Sequence, residues 1–211
     1  MSVIRCYMSI IPDSRFAECM VRENSLDRRG FQAWVFLRAM LFGAEDKWWG
    51  DRGGRAFPHE GLDFCLFSDA SRSLFRLEEG TRIPAMYDGR VVAILDDFLG
   101  ASIVLEHRLP RHRDPFLTIY GHMAVRETLH VGSAVREAEI IGTLTEPGTS
   151  PVRIHPHLHV SLDRPSESAS YNNLTWRDLN NSGLFTMIDP LAVIGGSYRV
   201  VELVEKHPEP A

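Results

Sequence analysis

The chain has 211 residues, 44% of them hydrophobic and 24% charged, which is ordinary for a globular protein of one domain or a core domain with an added segment. Its formal net charge is −5, and its basic residues are 21 arginines and only two lysines, so the charge gives no reason to expect nucleic acid as a partner. No run of residues approaches the length of about 18 apolar residues that a transmembrane segment needs.

Signals for export and for disulfide formation are weak. The first residues lack a long apolar core followed by a small-residue cleavage site, so no signal peptide is predicted. We expect a cytoplasmic protein if the start is native, and a cell-envelope protein if the chain is exported atypically or a leader was removed. Three widely spaced cysteines, Cys6, Cys19 and Cys65, are predicted to be buried free thiols.

The first 45 residues are predicted to form a helical N-terminal segment that packs on the main domain or covers it. One helix should begin at Asp13 or Ser14 and end near Asn24. A second is predicted over residues 26–42, where apolar side chains recur near helical spacing. An inhibitory role, with Asn24 or another side chain close to a metal site, is a further hypothesis for this segment.

Residues 43–58 carry the glycines of an irregular loop between this segment and the rest of the chain. The loop contains the paired tryptophans Trp48 and Trp49. They either fill space between helix and sheet or form the exposed wall of a groove, and the sequence does not choose between these positions.

From residue 59 onward the chain shows short strands with turn signals about every 8–12 residues, the pattern of an antiparallel all-β sheet or sandwich. Strands are predicted at 63–68, 73–77, 81–86, 90–96, 101–107, 116–122, 139–144, 157–162 and 198–204. A long loop is predicted over 163–187, and Asp189-Pro190 should open a short helical turn. The predicted organisation is therefore a mainly β domain over 46–205 and a loose tail over 206–211.

Three separated segments carry imidazole and carboxylate groups. His59 and Asp63 enter one strand, His122 ends another, and His157 and His159 share one face of a third, about 7 Å apart. Zinc in hydrolases typically has three protein ligands and a water. Two further groups must then move protons and stabilise the oxyanion. Five side chains suffice for these roles, but their spacing alone does not assign them.

These segments resemble the lysostaphin and LytM type of zinc metallopeptidase, the murein-cleaving endopeptidases with a duplicated hybrid motif fold. That family shows His-x-Gly-x-Asp-Phe, Tyr-x-His-Leu and Pro-His-Leu-His-Phe elements, which correspond here to residues 59–64, 120–123 and 156–160. The resemblance runs from about residue 55 to 163, and Asp189-Pro190-Leu191 is similar to the usual close of the family. All elements stand in the family's order.

The resemblance implies a mainly β catalytic domain in which His59, Asp63 and His159 bind Zn²⁺. It also implies that His122 and His157 are the unliganded catalytic pair, one acting as general base and the other as oxyanion stabiliser. The implied activity is that of a zinc-dependent metalloendopeptidase, a hydrolase whose substrate is peptidoglycan or another peptide.

The sequence departs from the family pattern at two places. The family often has a tyrosine shortly before the first ligand, whereas this chain offers Arg52 or Arg55 as anion-stabilising groups. Residues 146–153 replace the usual Gly- and Ser-rich approach to the His-x-His strand, so the loops that bind substrate should differ.

Two other functions are alternatives to catalysis. A non-catalytic zinc-binding relative could bind wall peptides or regulate another murein hydrolase, although such relatives are expected to lose ligands. A lipoyl or biotinyl carrier would need a lysine at a hairpin tip, which neither lysine provides. The remaining histidines are predicted to be bystanders: His155 at the rim of the site, and His107, His112 and His130 in solvent.

Overall fold

The structure is a computed structural model that describes residues 11–110, 114–145, 154–180 and 182–202. Several predictions therefore lie outside the described residues: those for Cys6, His112, the segment 146–153 and the tail 206–211. Within the described ranges the helices are α1 (Phe16–Glu23) and α2 (Trp176–Leu179), with 3₁₀ turns at Leu26–Arg29, Arg38–Met40 and Pro190–Ala192.

The described residues contain thirteen strands and few helical residues. They are β1 (Ala33–Leu37), β2 (Leu62–Phe64), β3 (Leu66–Ser68), β4 (Leu74–Arg76), β5 (Arg82–Pro84), β6 (Gly89–Asp97), β7 (Gly100–His107), β8 (Phe116–Val125), β9 (Ala134–Val135), β10 (Ile140–Leu144), β11 (Leu158–Pro165), β12 (Phe185–Ile188) and β13 (Tyr198–Val201). Every strand predicted from the sequence overlaps one of these, which confirms the mainly β class.

The strands form two sheets. The larger has the order β12-β11-β8-β7-β6-β9, with β2 added beside β11 and with β10 bridging β8 and β5. All pairings in this sheet are antiparallel. The smaller has the order β13-β1-β3-β4, in which β13 runs parallel to β1.

The N-terminal segment is only partly helical. The first predicted helix is confirmed as α1, but the helix predicted over 26–42 is wrong, because residues 33–37 form β1 between β3 and β13. This strand is an uninterrupted apolar run rich in β-branched and aromatic residues, Ala-Trp-Val-Phe-Leu. A run this short fits a buried strand as well as a helix, and its backbone partners lie more than 30 residues away in sequence.

The long loop predicted over 163–187 is also wrong in part. Strand β11 continues to Pro165, α2 begins after the capping box of Thr175 and Asp178, and β12 pairs with β11. The helical turn at Asp189-Pro190 is confirmed, and the Asp189 side chain accepts a hydrogen bond from the Leu191 N–H at 2.9 Å.

Aromatic packing joins the N-terminal segment to the strand that carries Asp63. The Phe64 ring on β2 meets the rings of Phe16, Trp34 and Phe36 at centroid distances of 5.6, 5.1 and 5.3 Å. All four side chains are fully buried. The segment therefore packs on the core, while the domain boundary at residue 45 stays a prediction. No described helix has the length and apolar character of a membrane span.

Candidate functional site

Three of the predicted site residues meet in the fold. Strand β2 pairs with β11 so that Asp63 lies opposite His159, and His59 approaches from the loop before β2. Asp63 Oδ1 lies 3.2 Å from His59 Nε2 and 3.0 Å from His159 Nδ1, and the two nitrogens are 3.2 Å apart. All three residues are buried. The antiparallel pairing thus brings together groups that are about 100 residues apart in sequence.

Each of these three side chains also has a hydrogen-bond partner on the side that faces away from the other two. His59 Nδ1–H donates to the Leu41 carbonyl at 3.0 Å, and Trp48 Nε1–H donates to Asp63 Oδ2 at 2.7 Å. His159 Nε2 lies 2.8 Å from the Ser161 hydroxyl, which can either accept or donate. Such outer contacts set the orientation and the tautomer of metal-binding side chains.

The facing atoms of His59 and Asp63 carry lone pairs and a negative charge, which either a cation or a proton between them would satisfy. With its Nδ1 proton committed to Leu41, a neutral His59 presents a lone pair at Nε2, and Asp63 Oδ1 can only accept. Burial opposes ionisation of Asp63, but a protonated His59 and the hydrogen bond from His159 together outweigh burial and hold the pKa of Asp63 well below its usual range. Burial lowers the pKa of His59, whereas Asp63 raises it by more.

This donor set fits a zinc ion. Zinc–nitrogen and zinc–oxygen bonds near 2.0–2.1 Å in a tetrahedron separate neighbouring ligand atoms by about 3.3 Å. The separations of 3.0–3.2 Å seen here are close to that value. The metal-ligand roles of His59, Asp63 and His159 stay predictions, which their geometry supports.

The two remaining predicted residues flank this trio. The ring of His122 lies 4.6 Å from that of His157 and 5.9 Å from that of His159, measured between centroids. His157 Nδ1–H donates to the His155 carbonyl at 2.9 Å, and burial lowers the pKa of His157 to about 4. The structure therefore brings all five predicted residues together, while the side chain of His155 is exposed.

The five residues line one cleft of about 250 Å³. Its walls add the aromatic rings of Trp49, Phe98 and Trp176, the carboxylates of Glu60 and Asp96, and Arg55. The two tryptophans take different positions. Trp48 is buried behind Asp63, whereas Trp49 lines the wall of the cleft. Trp176 comes from the region that was predicted to be a loop.

Sequence reasoning missed two residues that touch the site. Trp48 donates to Asp63, and Asp97 Oδ1 accepts a hydrogen bond from His122 Nδ1–H at 2.8 Å. Asp97 ends β6, and its sequence context indicated only a strand approaching a hairpin. No local pattern marks either contact, since each depends on how distant segments meet.

Of the two arginines proposed to stabilise an anion, Arg55 lies at the site. Its Nη2 is 3.6 Å from Asp63 Oδ2 and also donates to the Ala39 carbonyl. The anion-stabilising role remains a prediction for it.

The described part of the N-terminal segment does not cover the cleft. No residue among 11–45 lines it, although the Leu41 carbonyl supports His59 from behind. Asn24 is not near the predicted metal ligands, because its side-chain amide binds the backbone N–H and C=O of Arg82 at 2.7 and 2.9 Å. The hypothesis that Asn24 approaches the metal is therefore wrong.

Comparison with known proteins decides the family. Residues 70–172 match the model of peptidase family M23. This chain contains an M23 peptidase domain. The match includes His122, His157 and His159 and begins after His59 and Asp63. It confirms the resemblance seen in the motifs and places the chain among the metallopeptidases in general.

Solved structures of other M23-like proteins are similar over part of the chain. The catalytic domain of the antimicrobial peptidase lysostaphin from Staphylococcus simulans is 22% identical, with 65% of this chain and 79% of that chain covered and a TM-score of 0.40. A zinc-containing peptidase from Vibrio cholerae is 17% identical, with coverages of 80% and 41% and a TM-score of 0.40.

A lysostaphin structure solved by NMR is 24% identical, with 54% of this chain covered and a TM-score of 0.38. This chain spans 39% of the length of that lysostaphin chain. No curated protein sequence matches the chain significantly.

Proposed function

We propose that this M23 protein is a zinc-dependent endopeptidase that hydrolyses a peptide bond in peptidoglycan peptides. The observation that carries the proposal is the convergence of five side chains in one cleft, three with ligand atoms that face one another and two with imidazole rings beside them. A bound zinc ion would supply the Lewis acidity that polarises a carbonyl and lowers the pKa of water.

The chain's own residues then divide into two sets. His59, Asp63 and His159 hold the ion, and the Leu41 carbonyl, Trp48 and Ser161 keep those ligands in place. His122 and His157 face the same cleft, where they take up a proton from water and stabilise negative charge on the carbonyl oxygen.

The chemistry of the cleft wall supports a peptide substrate that carries amino groups. Trp49, Phe98 and Trp176 offer apolar and cation–π contacts, and Glu60 and Asp96 add negative charge at the wall. The resemblance of the motifs to murein-cleaving enzymes supports peptidoglycan as the source of that peptide.

The test uses the full chain loaded with zinc and purified murein as substrate, with wild type compared to His122→Ala and His157→Ala. We expect about one zinc per chain in all three proteins, because neither histidine is assigned as a ligand. Hydrolysis should fall by about 10²–10⁴-fold in each variant, the usual worth of a proton-transfer group.

Two outcomes would contradict the proposal. Unchanged hydrolysis in both variants, with zinc retained, would remove the assigned mechanism. A wild-type protein that holds zinc and sediments with murein without cleaving it would instead support a non-catalytic relative that binds wall peptides or regulates another hydrolase.

A further inference from the structure

We propose that Asp97 is a positioning residue that makes His122, and not His157, the histidine that accepts a proton at this site. This inference rests on the proposed peptidase function and assigns roles within the pair that the motifs leave undivided. It is carried by contacts among residues of β6, β7 and β8.

A single carboxylate holds both the ring and the backbone of His122. Asp97 Oδ1 accepts from His122 Nδ1–H at 2.8 Å, and Asp97 Oδ2 accepts from the His122 backbone N–H at 3.2 Å. His122 has a φ of 66°, in the left-handed region that residues with a Cβ seldom adopt. Such a conformation persists where surrounding contacts enforce it, often at functional sites.

Asp97 is itself held in place. Its Oδ2 accepts from the Ser102 hydroxyl at 2.6 Å and its Oδ1 from the Leu99 N–H at 3.2 Å, and its side chain is 2% exposed. The residue before His122 leaves room for this arrangement, because a Cβ on Gly121 would lie 3.2 Å from Asp97 Oδ2 and 3.3 Å from Ser102 Oγ. The carboxylate is thus fixed in position before any substrate arrives.

These contacts determine which ring nitrogen is available. Because Asp97 can only accept, the His122 proton lies on Nδ1, and Nε2 presents a lone pair. When Nε2 takes a proton from water, His122 becomes an imidazolium and Asp97 supplies its counter-charge. The imidazolium later gives this proton to the leaving amine. His157 has no such partner at its Nδ1, which donates to the neutral His155 carbonyl.

The first experiment reads the tautomer directly. Long-range ¹H–¹⁵N spectra of the zinc-loaded full chain, labelled at histidine, should show the Nδ1–H form for His122, assigned by its absence in His122→Ala. Asp97→Asn replaces one acceptor oxygen with an amide that can donate to Nδ1, so the Nδ1–H signal should be lost while zinc content stays unchanged.

The second experiment measures murein hydrolysis by the same proteins. Asp97→Asn should lower kcat by about 10²–10⁴-fold with little change in KM, because binding groups are untouched and only proton transfer suffers. Asp114→Asn, at an exposed position before β8, removes the same charge elsewhere and should leave hydrolysis unchanged.

An Nε2–H tautomer of His122 in the wild type would overturn the inference. So would an unchanged spectrum and unchanged hydrolysis in Asp97→Asn. If that variant fails to fold, the wild-type spectrum can still overturn the inference. Failure of the peptidase proposal would give a different result. The wild type would then leave murein intact, while His122 would still show the tautomer that depends on Asp97.

Discussion

At the scale of single residues, the two oxygens of Asp63 have different partners. Oδ1 faces His59 and His159, while Oδ2 accepts from Trp48 Nε1–H at 2.7 Å and lies 3.6 Å from Arg55. The indole therefore holds the carboxylate in one rotamer, so that only one oxygen points toward the predicted metal position. Trp48 also meets the ring of His157 edge-on at 5.0 Å.

Replacing Trp48 with phenylalanine should weaken zinc binding by about 10–100-fold, because it removes a hydrogen bond that orients a ligand. Competition with a chromogenic chelator measures the affinity without any substrate. The matched control is Trp34→Phe, since the buried Trp34 Nε1 has no hydrogen-bond partner within the described residues. Equal affinity of Trp48→Phe and wild type would show that the indole does not orient Asp63.

At the scale of elements, the site depends on the close approach of the loop before β2 to strand β11. Gly61 lies between His59 and Asp63, where a Cβ would come within 2.4 Å of the Val160 carbonyl oxygen and 2.8 Å of the His159 ring. Only glycine permits this approach, so the His-x-Gly-x-Asp motif carries a packing requirement as well as a chemical one.

Gly61→Ala should therefore lower the free energy of unfolding by about 1–3 kcal/mol, the usual cost of overpacking, and weaken zinc binding as well. Urea unfolding of the zinc-free protein measures the first effect separately from the second. Gly54→Ala is the matched control, because its nearest neighbour would be the Glu45 carbonyl oxygen at 4.0 Å. Similar unfolding curves for Gly61→Ala and wild type would contradict the predicted clash.

At the scale of the whole molecule, the core includes a polar group that was predicted to be in solvent. His107 is fully buried at the end of β7, where Nδ1–H donates to the Asp88 carbonyl and Nε2 accepts from the Thr118 hydroxyl. The prediction of a solvated side chain is wrong for His107, whereas His130 is exposed as predicted. Burial lowers the pKa of His107 from 6.5 to about 4.

This shift makes stability depend on pH. The unfolded chain binds a proton at His107 below pH 6.5, whereas the folded chain binds it only near pH 4. Burial of the neutral His107 therefore contributes its full stability above pH 6.5, and this contribution is lost as the pH falls to about 4. The loss amounts to about 3 kcal/mol. Urea unfolding of zinc-free wild type and His107→Gln between pH 4 and 7 should show a shallower dependence in the variant, and parallel curves would contradict it.

Features with a local period or motif could be predicted from the sequence. Alternation over the predicted strand 157–162 placed His157 and His159 on one face, and both line the same cleft. The order of the motifs indicated the family, which the M23 match confirms. The strands after residue 59 followed from turn signals and alternation, because both arise from neighbours in the chain.

Tertiary structure alone decided the rest, because those features join segments that are distant in sequence. Residues 33–37 form a strand because β3 and β13 supply its backbone partners, not because of a local preference. Contacts of Asp97 with His122 and of Trp48 with Asp63 cross 25 and 15 residues, and no periodicity spans them. The sequence by itself thus determined which groups the chain brings to the cleft, and the fold determined which neighbours orient them.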